Sequence, residues 1–403
     1  MEEKHFPWAL SRLDVAGAFG DVGVLFPLTI ALISLNQMNP TAVFLAAGLA
    51  YILAGTYFQV PIPVQPLKAV AAIALALHLA PSTIASAGLL MGGLLTLIGI
   101  TNLAPLLARL FTLPIIRGIQ LGLGLLLARE GLRLVFGVRS GQALWSGISV
   151  SALVIGLGAA VIFLLLRKSQ RFPAALVLLC AGIIVGLAAH WRALPALALG
   201  PLPVALLQPQ ATELKVAFLT LVVPQFALTF GNAIVATENT AQILYGPQAR
   251  RVTTRALSLS IGLMNLASGT ILAAPLCHGS GGVTAHYKFG ARTPKSSYII
   301  GSVCLLLALF GRSAVGLVGL IPLAVLGVFL LYVGIQHAAF VRDIVKNRGS
   351  LCIAASVGLV ALATTNLTWG FLVGFVVQGL LLAFSKMRAT RAGPTPSGSV
   401  KPR

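Results

Sequence analysis

The sequence predicts an all-α polytopic membrane protein of fourteen transmembrane segments, built as two inverted repeats of seven with broken third and tenth segments. Three observations carry that expectation. Of 403 residues, 58% are hydrophobic and only 9% charged, with a mean hydropathy of +0.96; a soluble domain carries about 25% charged residues. Long apolar runs recur from end to end, without the period-2 alternation of a β-barrel. Two short segments, broken by proline or glycine, lie at matching places in the two halves.

The apolar segments fall near 15–35, 40–58, 66–80, 83–103, 113–128, 145–166, 173–190, 214–236, 254–273, 281–291, 296–311, 314–336, 350–364 and 367–385. Segments 66–80 and 281–291 are too short to cross about 30 Å of hydrocarbon as helix alone, so they read as broken spans. Loop charges set the orientation. Arg109 and Arg117, then Arg167, Lys168 and Arg171, then Arg250, Arg251 and Arg255 lie in alternate loops, followed by Lys288, Arg292 and Lys295 and by Arg342, Lys346 and Arg348. That bias places both termini in the cytoplasm of a cell membrane, plasma or inner; Arg129, Arg133 and Arg139 run against it. The expected division is a first repeat over 1–200, a second over 201–386 and a disordered basic tail over 387–403.

Several classes drop out. The net charge of +20 is spread over inter-helical loops, which argues against nucleic acid. Cys180, Cys277, Cys304 and Cys352 have neither metal nor disulfide spacing. No metal or cofactor is expected. MEEKHFPW is acidic and does not read as a cleaved signal peptide. A membrane-embedded enzyme would cluster its acids or histidines, and the eight acids here do not cluster.

An offset of 211 lays AFGD (18–21) over TFGN (229–232), and Pro63–Lys68 over Ala274–Gly279. Seven spans per half is odd, so the halves must be inverted. Gly/Pro-interrupted segments at corresponding places point to a transporter's midplane site.

In PIPVQPLKAVAAIALALHLA, Pro61, Pro63 and Pro66 enforce an extended entry, and Pro66 suits a first helical turn. Proline inside a bilayer is tolerated where the backbone is buried in protein or lines a cavity. The helix then starts within the membrane, with free N–H groups and a positive dipole end that favour an anion. Lys68 in that turn makes sense beside an anion or a paired acid. In LCHGSGGVTAHYKFGA, Gly279, Gly281 and Gly282 allow close backbone approach, and Ser280 is expected to cap the next helix. Two such N-termini facing each other would form a donor-rich slot for a small oxyanion.

The first span of each half supplies polar side chains. Gln225, Thr229, Asn232 and Asn239 follow helical spacing, as do Asp14 and Asp21. An acid inside the membrane is expensive to keep, so Asp21 reads as an ion-coupling residue or as Lys68's partner. Glu238 has similar status, or is solvated at the cytoplasmic end. His278, beside a glycine turn, is a candidate donor to substrate; His78, His190, His286 and His337 show no such setting, and Cys277 reads as packing.

Four stretches, GAFGDVGVLFPLTIAL, PIPVQPLKAVAAIA, PQFALTFGNAIVAT and PLCHGSGGVTAHYKFGAR, together resemble the molybdate transporter family of plants and microbes, related to the SulP sulfate permeases. The resemblance implies the uracil-permease-like, SulP-like fold with a core and a gate domain and substrate between the third and tenth spans. By motif it implies Gln65, Pro66 and Lys68 on one side and His278, Gly279, Ser280 and Gly281 on the other. Asp21 and Asn232 match the polar positions of the first and eighth spans. SulP permeases usually add a cytoplasmic STAS domain; here a short basic tail is expected instead, as in the molybdate branch.

The expected function is secondary active transport of a tetrahedral oxyanion, molybdate first and sulfate second, by alternating access. A proton is the favoured coupling ion, because each charge entering a negative-inside cell works against about 2.3 kcal/mol per 100 mV. An organic anion or nucleobase permease is the alternative, and would want aromatic partners beside the slot. Analogy of fold suggests a homodimer.

Overall fold

The computed structural model describes residues 11–108, 112–136, 143–145, 148–166, 169, 174–189 and 198–391. The chain opens with α1 (Arg12–Ala18) and α2 (Val22–Asn36), joined through a turn at Phe19–Asp21. Ser11 starts α1 with a capping box: its hydroxyl accepts the Asp14 N–H while the Asp14 carboxylate accepts the Ser11 N–H. Then come α3 (Pro40–Phe58), β1 (Gln65–Pro66), α4 (Lys68–Leu77), α5 (Pro81–Thr101), α6 (Ala104–Ala108) and α7 (Leu113–Val135). Pro40 and Pro81 sit in first turns, where a missing N–H costs nothing. A hairpin of β2 (Ala143–Trp145) and β3 (Ile148–Val150) leads to α8 (Ala152–Leu166) and α9 (Ala174–Ala189).

The second half begins with a helical run over Ala211–Arg251. It comprises α10 (Ala211–Val216), α11 (Val223–Leu228) and α12 (Ala236–Tyr245), joined by π-helical stretches at Ala217–Val222 and Thr229–Val235. It continues through α13 (Thr254–Thr270), β4 (Leu276–Cys277), α14 (Ser280–Lys288), α15 (Lys295–Leu309), α16 (Gly311–Gly319), α17 (Leu323–Ala339), α18 (Arg348–Thr364) and α19 (Leu367–Arg391).

This is a mostly helical, multi-pass membrane protein. Among the described residues six helical stretches are long and apolar enough to cross a bilayer, and a seventh arises if α15 and α16, bent by 91°, count as one span. Two differences from expectation concern the second half. The apolar run 314–336 is interrupted after Gly319, because Pro322 starts a new helix rather than continuing the old one. The last helix continues to Arg391, past the expected start of the tail at 387; residues beyond 391 lie outside the described ones, as does His190.

Close helix crossings rest on glycines, as expected where no hydrophobic force separates helix from lipid. A Cβ on Gly92 of α5 would meet the Leu266 nitrogen of α13 at 2.6 Å, and one on Gly262 of α13 would meet the Thr96 hydroxyl of α5 at 2.4 Å. On α7 and α17, Gly124 packs on the Gly334 carbonyl, and Gly131 on the Gly327 carbonyl, each at 2.5 Å from such a Cβ.

Candidate anion-binding site

The two broken segments meet. β1 and β4 pair antiparallel, Gln65 opposite Cys277 and Pro66 opposite Leu276. The Leu67 N–H donates to the Pro275 carbonyl at 2.8 Å, extending the pairing by one bond. Asn265 of α13 holds β4 from behind: its Oδ1 accepts the Leu276 N–H at 2.8 Å, and its Nδ2 donates to the Leu276 carbonyl at 2.6 Å. Backbone freed by the prolines is thus repaired by strand pairing and one amide side chain, which the interior demands. The register is closed under the 211-residue offset: shifting Gln65 and Pro66 by that amount gives Leu276 and Cys277, and the pairs exchange.

α4 starts at this crossing. Leu67 is its N-cap and supplies no side-chain cap. Gln225 of α11 does so instead, its Oε1 accepting the Ala69 N–H at 2.8 Å and the Val70 N–H at 3.3 Å. Its Nε2 donates to the Thr229 hydroxyl at 2.9 Å. Two donors expected to face an anion are therefore already taken, and Lys68 is the main electropositive group that this end of α4 offers.

Lys68 is buried, with its Nζ donating to Gln65 Oε1 at 2.5 Å. Gln65 Nε2 in turn donates to the Asp21 carboxylate. The amide orientation is fixed by chemistry, since an ammonium only donates and a carboxylate only accepts. Asp21 ends the turn between α1 and α2 and is buried. Lys68 and Asp21 thus compensate each other through Gln65, as an acid held away from water requires.

α14 faces this chain. A Cβ placed on Gly279, its N-cap, would lie 3.5 Å from Lys68 Nζ and 3.7 Å from both Asn232 Nδ2 and Gln65 Oε1. Ser280 begins α14 rather than capping it, and its hydroxyl donates to Asn232 Oδ1 at 3.0 Å. That leaves the Asn232 amide group to point elsewhere. Gly281 has open space where a Cβ would be, whereas a Cβ on Gly282 would strike Pro63 at 2.5 Å. The Gly282 and Val283 N–H groups donate to the Gly279 carbonyl, each at 3.1 Å, so the N–H groups of Ser280 and Gly281 are the ones that have no acceptor within their own helix.

A cavity of about 440 Å³ opens on this surface. Asp21, Gln65, Lys68, Asn232, Gly281 and Gly282 form one wall. The other is built by Phe163 of α8 and by Phe329, Tyr332, Gln336 and His337 of α17. Lys288 and Phe289, at the far end of α14, also line it.

Three expected residues sit elsewhere. His278 is fully buried, its Nδ1 2.9 Å from the Pro63 carbonyl and its Nε2 2.9 Å from the Ser260 hydroxyl. With a carbonyl fixing Nδ1 as donor, Nε2 accepts from Ser260, so the ring ties α13 to the two broken segments and has no donor left for a substrate. Glu238 accepts the Thr254 N–H at 3.0 Å and so caps α13, away from the cavity. Pro66 is locked in the strand pair. Sequence reasoning missed the cap by Gln225, the cavity wall on α17, and His286, whose Nδ1 lies 2.7 Å from the Gly17 carbonyl. His286 stands eight residues after His278, in the motif already singled out; only its contacts distinguish it.

The family profile described as "Molybdate transporter of MFS superfamily" matches residues 14–127 and 217–336, more than half of the chain and both broken segments. The chain belongs to the molybdate transporter family. That family comprises transporters, not enzymes. Molybdate transporter 2 of Arabidopsis thaliana is 28% identical, over 91% of this chain and 87% of its own. The fold is shared with two solved anion transporters. The transmembrane domain of a cyanobacterium bicarbonate transporter, BicA, matches with a TM-score of 0.64 at 18% identity, over 91% of this chain and 96% of its own. Murine Slc26a9, in the inward-facing state, gives 0.66 at 16% identity, over 94% of this chain and 70% of its own.

Proposed function

We propose that the protein is a secondary active transporter of a tetrahedral oxyanion, molybdate first and sulfate as the alternative. The observation that carries this is the convergence at Gly279, where Lys68 Nζ and Asn232 Nδ2 lie 3.5 and 3.7 Å from one point beside the start of α14. A cation, an amide and free backbone N–H groups suit a small dianion. Ser280 orients Asn232, Gly281 leaves room for backbone approach, and Gln65 holds Lys68.

The self-closing strand register supports two inverted repeats, over 1–200 and 201–386, in a fourteen-span chain with both ends cytoplasmic in a cell membrane. Alternating access would move the wall bearing Lys68 against that bearing Tyr332 and Gln336. Asp21 is the proton-coupling acid of the pair we favour; Glu238, occupied in capping, has less claim. Assembly as a homodimer completes the reading.

Aromatic residues on the opposite wall, Phe163, Phe329 and Tyr332, favour one second reading, a permease for an organic anion or nucleobase.

Thermal stability of purified protein against molybdate, tungstate, sulfate, phosphate and uracil separates these. A specific ligand at 100 times its Kd adds about 2.7 kcal/mol. Stabilisation by molybdate and tungstate at micromolar levels, with sulfate weak, supports molybdate. A response to sulfate alone moves the substrate to sulfate. A response to uracil alone sinks the oxyanion reading.

A further inference from the structure

Among the described residues, the carboxylate and ammonium groups that line the cavity of about 440 Å³ belong to Asp21, Lys68 and Lys288. His337 lines it too, with Nδ1 2.9 Å from the Val333 carbonyl of its own helix. Asp21 and Lys68 are both buried and joined through Gln65, so their charges offset each other. The positive charge left over is that of Lys288.

Lys288 differs from Lys68 in two ways. It ends α14 and is exposed, where Lys68 is buried. It also makes neither hydrogen bond nor ion pair among the described residues. Arg292, four residues on, is engaged: its guanidinium lies 3.5 Å from the centre of the Tyr287 ring, and its Nη1 donates to the Tyr287 and Ala291 carbonyls at 2.6 and 3.0 Å. Gly281, Thr284, Ala285 and Lys288 follow i, i+3, i+4 and i+7 along α14, one helical face, and all four line the cavity. Lys288 thus stands on the same wall as the start of α14, about 12 Å further along the helix axis than Ser280.

We propose that Lys288 is an outer anion-binding group of this cavity, which collects a dianion from water before Lys68 receives it; this rests on the anion reading above. A lysine ammonium is a strongly hydrated point charge on a flexible stem, suited to a loose and transient hold. At Gly279 a second cation, an amide and backbone N–H groups converge, so the anion gains by moving inward. The field of Lys288 spans the distance between the two positions at low ionic strength, where the screening length is about 30 Å at 0.01 M, and is cut off at 1 M, where it is about 3 Å. A lysine in a last turn also complements the helix dipole. That role concerns the stability of α14 and makes no demand on ligand affinity.

The test is equilibrium binding of labelled molybdate to the purified full chain at ionic strengths of about 0.01 and 1 M, with sulfate as the second probe. Lys288→Gln should weaken binding by about three- to tenfold at low salt and match the wild type at high salt. Lys288→Arg should bind as the wild type does at both. Lys215→Gln, which removes an exposed cation of α10 outside the cavity, should also leave affinity unchanged. Wild-type affinity in Lys288→Gln at low salt overturns the proposal, and a lowered melting temperature beside it assigns Lys288 to the helix dipole. A loss that persists at high salt, or that Lys288→Arg does not restore, overturns it as well. Equal weakening by Lys215→Gln traces the effect to the net charge of the whole chain and does the same. If the wild type binds neither anion at either ionic strength, the anion reading falls, and this inference with it.

Discussion

The side-chain oxygen of Gln225 accepts the backbone N–H of Ala69 at 2.8 Å. A residue on one helix thus caps another whose start is separated from it by more than 150 positions of chain. Replacing Gln225 by Leu leaves the Ala69 and Val70 amides unmatched, at about 1–3 kcal/mol for a buried donor. Gln225→Leu should lower the melting temperature in detergent with or without ligand, while Gln225→Glu, which keeps the acceptor, should lose less. Equal loss in both would show that the cap is not what matters.

Lys68 is the cation that the site presents to a ligand. Lys68→Met should weaken molybdate binding by at least about tenfold, roughly 1.4 kcal/mol. Because Asp21 then loses its compensating charge, Asp21→Asn combined with Lys68→Met should recover stability but not affinity. Equilibrium binding of labelled molybdate, alongside melting curves, reads both.

Gly281 and Gly282 are neighbours with opposite expectations. A Cβ on Gly281 meets nothing within 4 Å, so Gly281→Ala should fold normally and yet weaken binding, since the methyl group enters the cavity. A Cβ on Gly282 strikes Pro63 at 2.5 Å, so Gly282→Ala should destabilise the fold by about 1–3 kcal/mol. The comparison needs only melting curves and one binding isotherm per variant.

His278 should behave as structure. His278→Ala deprives the Pro63 carbonyl and the Ser260 hydroxyl of a buried partner, and the melting temperature should fall more than affinity does in the protein that remains folded. A normal melting curve with abolished binding would return His278 to the substrate.

The broken segments were legible because proline and glycine restrict the backbone locally: Pro61, Pro63 and Pro66 announce the interruption whatever surrounds them. Lys68, Gln65 and Asp21 were legible as polar groups too costly to keep in an apolar run. What could not be read is pairing across the chain. Nothing near Gln225 indicates that it serves Ala69. His278 looked like a donor because its local setting is open; its two partners, Pro63 and Ser260, come from other elements. The π-helical stretch over Thr229–Val235 shifts Asn232 from where α-helical spacing would put it, toward Ser280.

The crossing of β1 and β4 also bears on how the protein is made. Pro66 and Cys277 touch across 211 positions of chain, and Gln225 and Asn265, which complete the repair, likewise belong to the later half. At the usual pace of synthesis the gap is on the order of ten to forty seconds. During that time residues 61–70 sit at the insertion machinery with amides and carbonyls that their own half leaves without partners. The early half is an unfinished product until the late half arrives, and a ribosome that stalls between them leaves a fragment for the quality-control proteases.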